Sequence, residues 1–320
     1  MKNKYVFVTV LLLVIALLGY GFTRIYSKPA PQRKEEELTI VTSFYPMYVA
    51  ASNVAGGISG VTVENLSQPQ TGCLHDFQLT PGDMMLMSRA DVFVINGGGM
   101  EGFLGEVAEE YPNLAVVNAG KGIFSEEEHE EHEGHEEHEE HEGHHHTENA
   151  HVWMSIPHYM EQVEAIRDGL VGLDPKHRTL YEDHAKVYLS KIQSLKEEAE
   201  SLKELAFGQP VILLHEAFWY LAEDYGLSVE YVLNLDEEQS VSAGEVAELM
   251  ELMKEKNIRI ILAEDLYGRD LGDTIEEETG IKVYYLDTLT RGDGSPDSWL
   301  RGMEENISIL KEALGMEVGA

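Results

Sequence analysis

Residues 38–66 read LTIVTSFYPMYVAASNVAGGISGVTVENL, and the alternation in this stretch decides the fold class. Leu38–Thr42 is a short apolar run of the kind that fits a strand. Pro46–Val54 changes to helical periodicity. Gly56-Gly57 stops that helix, and Val61–Leu66 returns to the strand pattern. Strand, helix and strand in so short a span predict a βαβ unit and therefore parallel pairing.

The alternation continues outward. Thr80–Met87 is an expected helix with Pro81 at its first position, and Ala90–Asn96 a strand closed by Gly97-Gly98-Gly99. Gly102–Glu110 follows as a helix and Leu114–Asn118 as a fourth strand. Two helical segments come next: amphipathic Pro157–Leu170, then a long helix opened by Asp174-Pro175 and running to about Leu205. Thirty residues of helix would measure about 45 Å, enough to bridge two lobes. The second half repeats the pattern, with strands at Val211–Leu214, Ser228–Leu233, Ile258–Ala263 and Lys282–Leu286. Helices are expected at Ala217–Tyr225, Ala243–Lys256, Leu271–Thr279 and Ser298–Leu314. The expected fold class is α/β: two small lobes with parallel sheets, joined by one long backbone helix, with a cleft between them. The lobes are placed at 38–170 and 207–320 and the linking helix at 174–206.

The ends of this frame carry other signals. Lys2 and Lys4 precede an uncharged apolar run, Tyr5–Phe22, which closes at Arg24 and Lys28. Its length matches a bilayer core, so residues 1–28 are expected to be an uncleaved signal anchor, in preference to a cleaved signal peptide. Residues 29–37 then act as a tether, and the positive flank places the rest outside the cytoplasm. Within the first lobe, residues 125–149 hold eight histidines and a dozen glutamates with no large apolar residue. Such a segment has nothing to bury and is expected to be a disordered loop.

Composition excludes whole classes of partner. With 23 basic against 58 acidic residues the formal charge is −35, which repels nucleic acid and concentrates cations. The single cysteine, Cys73, allows neither an intramolecular disulfide nor a thiolate cluster. A metal site must therefore use His, Asp and Glu.

Ligands of open α/β sheets bind at the carboxyl ends of strands. His215 directly follows Val211–Leu214, and Asp287 directly follows Lys282–Leu286. His151 closes the long loop leaving Leu114–Asn118, and His75 lies in the loop leaving Val61–Leu66. Three neutral imidazoles and one carboxylate converging on a cleft suit four-coordinate zinc. Taken singly, each histidine also fits a hydrogen-bonded structural role, and Asp287 fits a turn or cap. His158, His177 and His184 sit on expected helices and read as surface or packing residues.

Five segments carry a resemblance over nearly all of residues 38–314. They are Thr42-Ser43-Phe44-Tyr45-Pro46; Leu74-His75-Asp76-Phe77-Gln78-Leu79-Thr80-Pro81-Gly82-Asp83 with Ala90-Asp91 and Asn96-Gly97; and Asn149-Ala150-His151-Val152-Trp153-Met154-Ser155. His215-Glu216-Ala217-Phe218-Trp219-Tyr220 is the fourth, and Ala263-Glu264 with downstream Asp287 the fifth. In this order they resemble the zinc/manganese substrate-binding proteins of ABC importers. The resemblance implies Zn2+, or less readily Mn2+, held between two lobes by His75, His151, His215 and Asp287. It also implies delivery to an ABC permease and its ATPase. Manganese-preferring relatives often carry Glu where this chain has His215, and imidazole there agrees with zinc. Two departures stand out: Cys73-Leu74 precedes His75 where Asp or Pro is usual, and no lipobox cysteine follows the apolar run. Cys73 is expected to be a buried spectator thiol rather than a metal contact or a redox-sensitive group.

The loop adds accessory sites. His129, His132, His135, His138 and His141 recur every three residues, followed by His144, His145 and His146. These imidazoles are expected to bind several zinc ions weakly, as a collector at the cleft mouth or a sensor of excess. A zinc hydrolase is the rival from another class, but the H-E-x-x-H motif fails because Trp219 stands where its second histidine would be. The chain is thus expected not to be an enzyme. Zinc import also competes with manganese or iron import, with a surface metal buffer and with an adhesin. The protein is expected to work as a monomer, its lobes settling slightly together on the ion, with release when a docked permease draws them apart. Affinity is expected to fall as pH drops through about 6.5, where imidazoles protonate.

Overall fold

The computed structural model describes residues 37–67, 74, 77–124, 149–233, 243–266 and 268–316. The chain divides into two units, Met1–Glu37 and Leu38–Ala320. All but one residue of the first unit lies outside the described residues, so the expected anchor and tether do too. No described helix is long and apolar enough to cross a membrane. The second unit is described below.

It holds two sheets built alike. The first comprises β1 (Leu38–Thr42), β2 (Val61–Asn65), β3 (Val92–Ile95) and β4 (Ala115–Asn118), in the order β2-β1-β3-β4. The second comprises β5 (Pro210–Leu213), β6 (Ser228–Val232), β7 (Ile260–Glu264) and β8 (Val283–Leu286), in the order β6-β5-β7-β8. Every pairing is parallel. β3 and β7 are buried along their whole length, as strands covered on both faces must be. The order reverses between β1 and β3, and again between β5 and β7. These switch points are where an open α/β sheet forms a crevice.

Local chemistry explains the helix starts. α1 (Tyr45–Ala55) begins with Pro46 in its first turn. α2 (Pro81–Met87) has a capping box in which Thr80 Oγ1 accepts from Asp83 N–H and the Asp83 carboxylate accepts from Thr80 N–H. α3 (Leu104–Glu110) precedes β4. α4 (Ile156–Leu173) starts at Ser155, whose hydroxyl accepts from the His158 N–H.

The linking helix differs in length from its sequence expectation. A 3₁₀ turn at Pro175–His177 leads into α5 (Arg178–Ala199), and α6 (Leu202–Ala206) continues after a short break. The regular part is 22 residues, about 33 Å rather than 45 Å. Tyr181, Ala185, Tyr188, Ile192, Leu195 and Ala199 are its buried residues, spaced alternately four and three. That stripe packs on α1, α4 and the last helix, so the helix backs both halves.

The second half adds α7 (Trp219–Asp224), α8 (Ala243–Glu255), α9 (Arg269–Thr279) and α10 (Ser298–Ala313). One apolar core runs from Ile40 and Phe93 through Trp153, Tyr159 and Trp299 to Leu213 and Leu286. A smaller one fills the other side of the second sheet, around Ile261 and Ile275. Tyr159 and Trp299 stack at 3.9 Å between ring centres, and Phe44 meets Trp153 edge-on at 4.8 Å. The halves are also hydrogen-bonded: Tyr45 Oη donates to Ser298 Oγ at 2.9 Å, and Asn53 Nδ2 donates to the Pro296 carbonyl at 2.7 Å.

Candidate metal centre

The first switch point supports one histidine. Gly97, Gly98 and Gly99 all take positive φ after β3, a turn that side-chain-bearing residues resist. The turn wraps the buried Glu101, whose carboxylate accepts from the Asn96 and Gly97 N–H groups at 2.7 and 3.1 Å. Burial pushes that carboxyl upward against these bonds. Asn96 Nδ2 in turn donates to the Ala150 carbonyl at 2.9 Å, and Gln162 Nε2 donates to Asn96 Oδ1 at 2.8 Å. This chain of bonds fixes the backbone next to His151, which is fully buried.

The second switch point carries the other histidine. β5 ends at Leu213, Leu214 follows, and His215 opens a 3₁₀ turn over Glu216–Phe218. Its Nδ1 accepts from the Ala217 N–H at 3.0 Å. The His151 and His215 rings lie 5.5 Å apart, centre to centre, and nearly perpendicular. The structure thus brings together the two histidines that sequence placed on opposite halves.

Glu264 at the end of β7 stands 3.9 Å from His215 Nε2 and is only 7% exposed. Burial raises its carboxyl, while Thr288 Oγ1, donating at 3.0 Å, and Arg291 at 3.4 Å draw it back down. The family resemblance includes this residue but gives it no role. The strand-end argument that pointed to His215 applies to Glu264 as well, which ends β7.

Asp287 lies directly after β8, as expected. Its backbone is gripped by Asn306, which accepts from Asp287 N–H at 2.8 Å and donates to its carbonyl at 2.7 Å. Its carboxylate accepts from the Leu289 N–H at 2.7 Å, holding Leu289 in the left-handed region. Asp287 lines a cavity of about 440 Å³ with Glu264, Arg269, Arg291 and Glu305. Burial raises this carboxyl too. His75 and Cys73 lie outside the described residues, as do the accessory histidines His129, His132, His135, His138, His141, His144, His145 and His146. Among the described residues no three His, Cys, Asp or Glu side chains gather to hold an ion.

The three helical histidines have other company. His158 faces Glu161 and the Tyr220 ring, and His177 Nδ1 lies 2.6 Å from Asp174. His184 is half-buried on α5.

The model of the family described as zinc-uptake complex component A, periplasmic (ZnuA), matches residues 40–313. The chain belongs to this family. The high-affinity zinc uptake system protein ZnuA of Bacillus subtilis (strain 168) is 34% identical over 316 residues, 94% of each chain. The manganese-binding lipoprotein MntA of Halalkalibacterium halodurans is 26% identical over 318 residues, 97% of this chain and 99% of its own. Among solved structures, the Zn(II)-bound ZnuA-like domain of Streptococcus pneumoniae AdcA aligns with a TM-score of 0.71 at 27% identity. It covers 87% of this chain and 98% of that one. Members of the ZnuA family are extracytoplasmic metal-binding components of ABC transporters that work with a permease and an ATPase, and they are not enzymes.

Proposed function

We propose that this protein captures Zn2+ between its two sheets and delivers it to an ABC permease. The observation that carries this reading is the pair of buried, perpendicular imidazoles of His151 and His215, one supported from each switch point. Nitrogen donors favour zinc over manganese, which prefers carboxylate and water. His75 supplies a third imidazole and Asp287 a carboxylate, and together they close a tetrahedral shell that leaves no position for a reactive water. The 125–149 loop adds weak, rapidly exchanging ions at the mouth. Residues 1–28 anchor the protein to the membrane, and it works as a monomer.

The test is a competition titration of Zn2+ and Mn2+ on the whole protein, on the protein lacking residues 125–148, and on His151→Ala. One tight zinc site is expected that survives loop deletion and weakens at least about tenfold in His151→Ala. Tight binding that disappears with the loop and ignores His151 would make the protein a surface buffer instead.

A further inference from the structure

We propose that Asn149 is a positioning residue that sets the His151 tautomer and couples it to the His215 segment, a role resting on the metal site proposed above. Asn149 Oδ1 accepts from the His151 N–H at 2.9 Å, and its Nδ2 donates to the Glu216 carbonyl at 2.9 Å. Those two backbone partners fix which end of the amide is oxygen, because a flipped amide would face donor to donor and acceptor to acceptor. The same Oδ1 lies 2.9 Å from His151 Nδ1. An acceptor there requires the proton on Nδ1, so Nε2 keeps the lone pair that a cation takes. The Glu216 carboxylate, 3.9 Å from the same nitrogen, favours the same tautomer.

Asn149 also joins the two sides of the site. Its carbonyl accepts from Tyr220 Oη at 2.9 Å. Glu216 and Tyr220 both belong to the segment that His215 opens, 67 and 71 residues further along the chain. One side chain and one carbonyl therefore hold His151 in its ligating form and hold the His215 segment beside it.

The experiment uses the full chain. The ring nitrogens of His151 are read by 15N NMR in the metal-free protein, and zinc affinity by chelator competition, for the parent, Asn149→Ala, Asn149→Asp and His151→Ala. The parent is expected to show His151 protonated at Nδ1. Asn149→Ala should mix the tautomers and weaken zinc about tenfold or more. Asn149→Asp keeps an acceptor facing Nδ1 but loses the Nδ2 donor to Glu216, so it should retain the tautomer while weakening zinc less than Asn149→Ala does. If Asn149→Ala keeps both tautomer and affinity while His151→Ala weakens zinc, Asn149 has no positioning role and the metal site stands. If His151→Ala leaves zinc affinity unchanged, the site itself is wrong. Should Asn149→Ala fail to fold, Asn149→Asp decides: loss of the Nδ1 proton there overturns the assignment.

Discussion

The indole N–H of Trp153 donates to the carbonyl of Thr288 at 2.8 Å, two residues beyond His151 on one side and next to Asp287 on the other. The Trp153 carbonyl in turn accepts from Trp299 Nε1 at 3.1 Å. Trp153→Phe keeps most of the ring packing and removes the donor, leaving the Thr288 carbonyl buried without that bond. Urea unfolding should show a loss of about 1–3 kcal/mol, and zinc titration a weaker site. Unchanged zinc affinity would mean that this cross-connection plays no part in holding the ligand loops.

Asp224 ties α7 to the start of α4. Its carboxylate accepts from Ser155 Oγ and from the Ile156 N–H, both at 3.1 Å. Burial raises its pKa to about 6; the two hydrogen bonds, His158 and Lys203 pull the other way. An acid with a raised folded-state pKa contributes stability that is full below its ordinary value and lost as pH climbs through about 6. Relative to Asp224→Asn, the parent should therefore lose up to about 3 kcal/mol between roughly pH 4 and 7. Urea midpoints at several pH values measure it, and parallel curves for the two proteins would refute it.

His215 should govern the choice of ion. His215→Glu replaces a nitrogen donor with a harder oxygen donor and is expected to lower the zinc-to-manganese affinity ratio by about tenfold or more. Paired Zn2+ and Mn2+ titrations give the ratio directly. An unchanged ratio would place selectivity elsewhere.

Asn306 is fully buried and satisfies both backbone groups of Asp287. Asn306→Ala removes both bonds, so a loss of about 2–4 kcal/mol is expected in urea. If the Asp287 turn helps hold the ion, zinc should also protect the variant less against heat than it protects the parent.

Most of the framework was legible because its signals are local. Strands such as Leu38–Thr42 and Lys282–Leu286 are short apolar runs between turns, and they appear within a residue or two of their expected places. The shortened linking helix was not legible. Apart from Ser201, residues 196–206 are good helix formers, and no glycine or proline marks the break before Leu202. The break is a slip in bonding: Glu200 N–H reaches back to Glu197 and Lys203 N–H to Glu200, three residues rather than four. His151 and His215 were expected at the site from strand ends, and their rings lie 5.5 Å apart. Asn149 and Glu264 lie within the segments that carry the family resemblance. Their roles, however, depend on partners such as Glu216 and His215, distant in sequence, and on amide orientation, which no local pattern encodes.

The apolar core shared by the two sheets bears on how cargo leaves. Prying the halves apart would wet Trp153, Tyr159 and Trp299, at about 2–3 kcal/mol for each side chain. The body is therefore less a jaw than a stiff cup. On the function proposed above, a docked permease would have far less to overcome by lifting the rim, at the loops carrying His151, His215 and Asp287, than by swinging one half away from the other.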